Sequence, residues 1–572
     1  VLALIGIAAV LSSCATIDGT DEEPAADAAS PTAASPAATD PVGDDPSPAG
    51  DDGPPTRPSM QVTGDAEVVF DWSEGACGPE NIPDIAARAF RGADGQVRLI
   101  IGHWDNYAMV GPDLDEVAMV CDPLLRSDFD PDPAMFNDSE WIGSVATEDG
   151  QTVYAIVHNE YRGDTHGAAR PGQCPSGVRF TCLDTSFTLA VSTDGGTTFD
   201  HVTDPPGHLL STLPEPFDDE GRPTGIRQPS NVVRGPDGAW YLFGNVSDYP
   251  DDPAVPFEDQ WTCVLRTEML GDPSAWRYWD GSAFDGTVVD PYSTAIGADP
   301  PRCRPVDERL GNVMYESVVW VEPLDRYVML GIAPIGNDVT RWAIHTSFSE
   351  DLLTWSVPEA VHELAAYAGV GDPEVDVFHA YLSLLDPDSP DLSFGTSDED
   401  AWIYVTRFNA GSSSLDRDLL RLPVSFAEVA VEAPAWTFDT DGDTEGWASL
   451  NALAPLNTAD GSLQTRATGT DPYLAVTGLA AATDLWGEIV VRMAVDGGGT
   501  TNADVFFTTD LTPESEDTRI GFPSVVTADG VMREYVIDVR RNRAWTGTVT
   551  GLRVDPAVDG DRAVEIDSIV LR

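Results

Sequence analysis

Residues 138–199 decide the fold. They read SEWIGSV (139–145), an Asp149-Gly150 turn, TVYAIVHNEY (152–161), an excursion bounded by Cys174 and Cys182, and SFTLAVSTDGGTTF (186–199). Three short apolar runs divided by turn residues predict three antiparallel strands. The polar cluster His158, Asn159, Glu160 and Tyr161 closes the second run, where strand gives way to loop and binding residues usually gather. The third run ends on Ser192, Asp194, Gly196 and Phe199, the pattern S-x-D-x-G-x-x-F at a turn.

The same pattern recurs on both sides of this stretch. ARAFR (87–91), VRLIIGHWDNY (97–107) and EVAMV (116–120) precede it. SNVVR (230–234), WYLFGN (240–245) and TCVLRT (262–267) follow. Next come VMYESVVWV (313–321), RYVMLGI (326–332) and WAIHTSFSEDLLTW (342–355), then HAYLSLL (379–385), AWIYVTRF (401–408) and DLLRLPV (418–424). Five units of one kind, with helical periodicity nearly absent, predict an all-β chain and a five-bladed β-propeller over residues 65–432. EVVFDW (67–72) is a candidate strand to close the last blade onto the first. Residues 280–310 would make a sixth blade if they held a strand, but their Pro, Asp and Gly content reads as loop.

With 572 residues, 42% of them hydrophobic, and 15 Trp, the chain has core material for two or three domains. Its 96 acidic residues face 31 basic ones, all Arg, for a net charge of −65. Such a surface repels polyanions, so nucleic acid is excluded as a partner. Residues 1–14 run from an apolar stretch into Leu-Ser-Ser-Cys14, which resembles a bacterial lipobox after a signal peptide. Lipidation of Cys14 would anchor an extracellular, cell-surface lipoprotein, touching the membrane only through that lipid. Residues 15–64 are rich in Ala, Pro, Asp, Ser and Thr and predict a disordered tether. Six further cysteines (Cys77, Cys121, Cys174, Cys182, Cys263, Cys303) suit three disulfides in an exported protein. Neighbour pairing is the simplest of fifteen connectivities, and the sequence does not select among them.

After residue 433 the texture changes. WTFDTDGDTEGW (436–447) opens a run of alternating strands that closes in VEIDSIVL (564–571). This pair resembles the galactose-binding-like β-sandwich (jelly-roll) modules appended to secreted carbohydrate enzymes. The resemblance implies a carbohydrate-binding domain over 433–572. It also implies a structural Ca²⁺ held by Asp439, Asp441, Asp443, Glu445 and Asp567, with no cofactor needed for catalysis.

The turn at 192–199 resembles the Asp-box of sialidases and related propellers, and Ser349 to Trp355 resembles one that has lost its glycine. The whole folded part is similar to propeller glycosidases of the sialidase and arabinanase types. It lacks the Arg-Ile-Pro of sialidases, and only Arg227 with Arg302 or Arg304 are on hand to complete an arginine triad. The resemblance implies an extracellular glycoside hydrolase acting on a polysaccharide or oligosaccharide, or a glycan-binding surface protein without catalysis.

Each predicted inner strand begins with polar residues that would face a central funnel: Arg88, then Asp138 and Glu140, Gln228 and Asn231, Tyr315 and Glu316, His379 and Tyr381. Hydrolysis needs two opposed carboxyls. Glu316 stands before a run of Val and Trp that should raise its pKa and suit it as general acid. Glu160 or Asp138 would be base or nucleophile, with Glu140 beside them. Arg88, His103, Asp105, His158, Tyr161, Gln228, Tyr315, His379 and Tyr381 are expected to bind substrate. Tyr315 or Tyr381 would be nucleophile in a sialidase-like variant.

Overall fold

The computed structural model describes residues 56–166, 174, 182–217, 224–247, 260–293, 300–335, 338–366, 377–409, 415–483, 485–540 and 542–572. Cys14, residues 1–55 and part of the Cys174–Cys182 excursion lie outside them. The regular secondary structure of the described residues is almost wholly β-strand, as the sequence predicts, and no helix among them is long and apolar enough to cross a membrane.

Residues 56–430 form five antiparallel meanders. The first comprises Arg88–Arg91, Val97–Ile101, Asp105–Gly111 and Ala118–Arg126. The second comprises Ser139–Thr147, Val153–Arg162 and Leu183–Ser192, joined through Thr224–Arg227 to the third, Trp240–Ser247, Gln260–Thr267 and Arg277–Tyr278. The fourth runs through Met314–Val321, Arg326–Ile335, Asp338–Ser349 and Glu359–Leu364, and the fifth through Phe378–Leu385, Asp400–Phe408 and Arg417–Ala430. Glu67–Phe70 pairs with Arg417–Ala430, as expected for a closing strand. Thr56–Val62 pairs with it too, register Met60↔Phe426, so the folded part begins earlier than the predicted boundary at 65. Pro58 in that strand is tolerated because only one of its edges is paired. The described residues of 280–310 hold one isolated bridge, Tyr278↔Gly286, and a short 3-10 turn, in keeping with a loop.

Hydrogen bonds tie each meander to the next and the fifth back to the first. Asn106 clamps the second unit, donating to Glu140 O at 2.9 Å and accepting from Ile142 N at 2.7 Å. Val232 N donates to Ser144 Oγ at 2.8 Å. Asn231 brackets Val318 at 2.6 and 2.8 Å. Leu384 N donates to Ser317 Oγ at 3.0 Å, and Ser383 Oγ reaches Ala87 O. An apolar cluster fills each of the five junctions. Phe90, Ile142 and Ala155 share one, for example, while Leu385, Phe394 and Leu99 close the ring between the fifth unit and the first. Full burial of one such side chain stabilises by about 1.5–3 kcal/mol.

The turn at 192–199 is held by its Asp. Asp194 Oδ1 accepts from Thr197 N at 2.9 Å and Thr198 N at 3.0 Å, while Phe199 is buried. Gly196 has φ +83°, and a Cβ there would meet Phe90 at 2.1 Å. In the fourth unit Leu352 takes the corresponding left-handed place with φ +66°, and Asp351 still binds Leu353 N and Thr354 N at 2.9 and 2.7 Å. The disulfides are Cys77–Cys121, Cys174–Cys182 and Cys263–Cys303, the neighbour pairing.

From residue 435 two antiparallel sheets share one core. One orders 457–459, 462–467, 562–571, 488–501 and 526–529; the other orders 448–451, 473–482, 548–555, 504–509 and 519–521. Trp436, Trp447, Ile489, Phe507 and Ile566 meet between them. Trp436 pairs with Ile569, so the two segments singled out in the sequence are neighbours.

Candidate active site

Three inner strands slip register: between Ile142 and Ser144, Met314 and Ser317, and Ala380 and Ser383. A bulge frees backbone groups from the ladder and re-aims side chains. The residues so displaced, Gly143, Tyr315 with Glu316, and Tyr381 with Leu382, are where the polar groups converge. Two residues at this end hold left-handed backbone, Gln228 at φ +46° and Tyr381 at φ +66°. Such conformations cost about 1–3 kcal/mol each and persist only where neighbours enforce them. Tyr315 Oη donates to Gln228 Oε1 at 3.0 Å, and Tyr381 Oη donates to Asp84 Oδ1 at 3.2 Å.

Arg88 sits at the centre and is buried. Its guanidinium donates to Gly143 O (2.8 Å), Ser383 Oγ (2.8 Å), Pro229 O (3.0 Å) and Glu316 O (2.7 Å), touching all four other units. A narrow cavity beside it takes Val145, Asn231, Ser317 and Leu384, one residue from each of them. Burial pulls the Arg88 pKa down to about 9, against the field of Glu316. The expectation that Arg88 binds substrate is therefore corrected. Its donors are committed to the Gly143 and Glu316 carbonyls that two bulges expose, to Pro229 O and to Ser383 Oγ, and it pins the five units together.

Glu316 is partly accessible at the residue level, with its carboxyl set deep. Oε2 accepts from Leu382 N at 2.6 Å, an amide that the bulge has taken out of the ladder. Burial lifts its pKa to about 7, opposed by that amide and by Arg88. At neutral pH the group can both hold and release a proton, which a general acid requires.

Across the Tyr381–Leu382 bulge lies a second carboxyl, Asp84, which sequence reasoning missed. It is ion-paired with Arg417 and lies 3.5 Å from His103 Nε2. His103 Nδ1 faces Glu80 at 3.5 Å, and its ring stacks on Trp104 at 4.4 Å. Burial lowers the His103 pKa, and the carboxylates of Asp84, Glu80 and Glu160 work against it. Burial also raises the Tyr381 phenol, followed by the field of Asp84 and, less strongly, Glu160. His158 Nε2 lies 3.4 Å from Glu160 Oε1, and its ring is against Trp141. The structure thus brings Glu316, Tyr315, Gln228, Tyr381, Glu160, His103 and His158 to one end of the ring. It adds Asp84, Glu80 and Arg417.

Other expected members go elsewhere. Asp138 is buried, accepts from Arg162 N at 2.8 Å and contacts His166 Nε2 at 2.8 Å; burial raises its pKa. Tyr161 donates to Pro131 O at 3.1 Å and packs on Phe217. Glu140 is fully buried on the strand face opposite the Ser139–Glu160 pair and meets His201, so its expected place among the opposed acids is corrected. Asp105 pairs with Arg126 at 2.7 Å instead of joining His103, and His379 Nδ1 meets Ala365 O at 3.2 Å, a local structural bond. In the C-terminal sheets the expected calcium ligands do not converge. Glu445 caps Thr437 N and Phe438 N, Asp443 binds Glu445 N, Asp441 binds Asp460 N, Asp439 accepts from Thr437 Oγ1, and Asp567 pairs with Arg492.

No family model and no curated protein matches the sequence. Among solved structures, the chain is similar to a glycoside hydrolase family 43 arabinoxylan arabinofuranohydrolase from Bacillus subtilis, in complex with cellotetraose. The identity is 12% and the TM-score 0.33, over 88% of this chain and 99% of that one. It is also similar to variants of a family 29 carbohydrate-binding module. One matches at 10% identity and TM-score 0.20, over 25% of this chain and 92% of that one. Another, complexed with mannohexaose, matches at 11% identity and TM-score 0.19, over 25% and 92%.

Proposed function

We propose that residues 56–430 are a five-bladed β-propeller whose axial end hydrolyses a glycosidic bond in an oligo- or polysaccharide. The observation that carries this reading is that two carboxyls are held by adjacent residues of one bulge, Tyr381 and Leu382. Glu316 has a pKa near 7 and is held by Leu382 N, while Asp84 is bound by Tyr381 and Arg417. Glu316 is the general acid, delivering its proton to the leaving oxygen. Asp84, with Glu160 beside it, supplies the carboxylate that activates water or stabilises the developing positive charge on the sugar. Gln228 and Tyr315 hydrogen-bond sugar hydroxyls. The C-terminal sheets form a β-sandwich that holds the glycan, and lipidated Cys14 tethers the protein outside the cell.

Reducing-end release from a polysaccharide panel, measured with wild type and Glu316→Gln, tests the reading. Release by wild type alone supports it. Retained binding to a glycan with no release from any member would replace it with non-catalytic glycan capture.

A further inference from the structure

We propose that Glu140, His201 and His208 form a transition-metal site, of the class that takes Zn²⁺, in the second unit. The donor atoms of the three side chains all lie within 4.8 Å of one another, the one such group of three or more among the described residues. His201 Nε2 is 2.7 Å from Glu140 Oε1, and the two imidazoles sit 4.3 Å apart, ring centre to ring centre.

His208 points to a ligand independently of that cluster. It is fully buried, and neither ring nitrogen makes a hydrogen bond of good geometry, with only the carbonyls of Phe136 and Pro206 as weak acceptors nearby. A poorly satisfied buried imidazole beside a carboxylate is costly to leave without a strong partner, and metal ligation would supply one. Two imidazoles and one carboxylate select a borderline transition metal; Ca²⁺ and Mg²⁺ prefer all-oxygen shells.

The elements explain the purpose of the site. Glu140 lies on the innermost strand of the unit. His201 pairs with Ala190 on the outer strand, and His208 O accepts from Leu189 N at 2.9 Å. The ion therefore staples the 200–208 segment to the inner strand. Asp128, whose N–H reaches Glu140 Oε2 at 3.3 Å, supplies nearby negative charge. This is independent of the hydrolase reading, since none of the three residues belongs to the axial cluster.

The test uses untagged full-length protein dialysed against EDTA, then titrated with Zn²⁺ or Co²⁺ alone. One equivalent binds, Co²⁺ gives the visible bands of a low-coordinate site, and Zn²⁺ raises the melting temperature. His208→Gln and Glu140→Gln weaken binding at least about tenfold, while His362→Gln, on a separate strand of the fourth unit, changes nothing. If those variants fail to fold, X-ray absorption on Zn²⁺-loaded wild type decides: two imidazoles with oxygen donors support the site. No stoichiometric uptake, uptake unchanged in folded His208→Gln, or a shell lacking two imidazoles overturns it.

Discussion

Glu316 and Glu140 stand at the same end of the inner strand in the fourth and second units, and burial raises the pKa of both. Their surroundings differ. At Glu316 the strand opens toward solvent at Tyr315 and the left-handed Tyr381, and the carboxyl is held by a single backbone amide near a fixed guanidinium. At Glu140 the strand start is closed over. Ser127 Oγ accepts its N–H at 2.8 Å, and His201 and His208 cover its side chain. The same residue type on the same scaffold therefore becomes a proton donor where a bulge opens the strand end, and a buried staple where a loop covers it.

The largest expected separation between the two is in turnover. Glu316→Gln lowers kcat on a cleaved glycan by about 10²–10⁴-fold, with unchanged far-ultraviolet circular dichroism. Glu140→Gln lowers it far less, and comparable losses in both would erase the distinction. Next comes Arg88→Met, which strands three carbonyls and Ser383 at the axis. Urea unfolding should show a loss of about 3–5 kcal/mol, and a loss under about 1 kcal/mol would mean the ring does not need its pin. Glu140→Gln should cost about 1–3 kcal/mol by the same measurement, through the orphaned His201.

The smallest effect is on pH dependence. With a native pKa of about 7, well above the ordinary carboxyl value, Glu316 binds more proton folded than unfolded. Its contribution is fully present below the unfolded pKa and is lost as pH rises through 7. Glu316→Gln should flatten that decline in stability, and turnover by wild type should fall across the same window as the acid loses its proton.

Much of the ring was readable because each unit repeats apolar alternation closed by turn chemistry. Even Leu352, placed where a glycine belongs, left Ser349 and Asp351 to mark the turn. Thr56–Val62 was not readable: Pro58 and its polar neighbours look like tether, and the strand is fixed by pairing with residues over 360 positions away. Glu316 was legible as a carboxyl before an apolar run. Asp84 was not, because it precedes its strand and acquires its role from Arg417, 333 residues later. Arg88 misled because a polar residue opening an inner strand suggests a lining group. Its flanking alanines, which allow a guanidinium to pass between strands, were the signal for a pin. His201 and His208 lie in an irregular segment with no recognisable ligand spacing to Glu140.

The most direct test follows the carboxyl carbons of ¹³C-glutamate-labelled protein by NMR across a pH titration, comparing wild type with Glu316→Gln. The account predicts one resonance titrating near pH 7 that disappears in the variant. If every glutamate signal lost in the variant titrates at the ordinary carboxyl value, Glu316 does not hold a proton at neutral pH, and its role as general acid is contradicted.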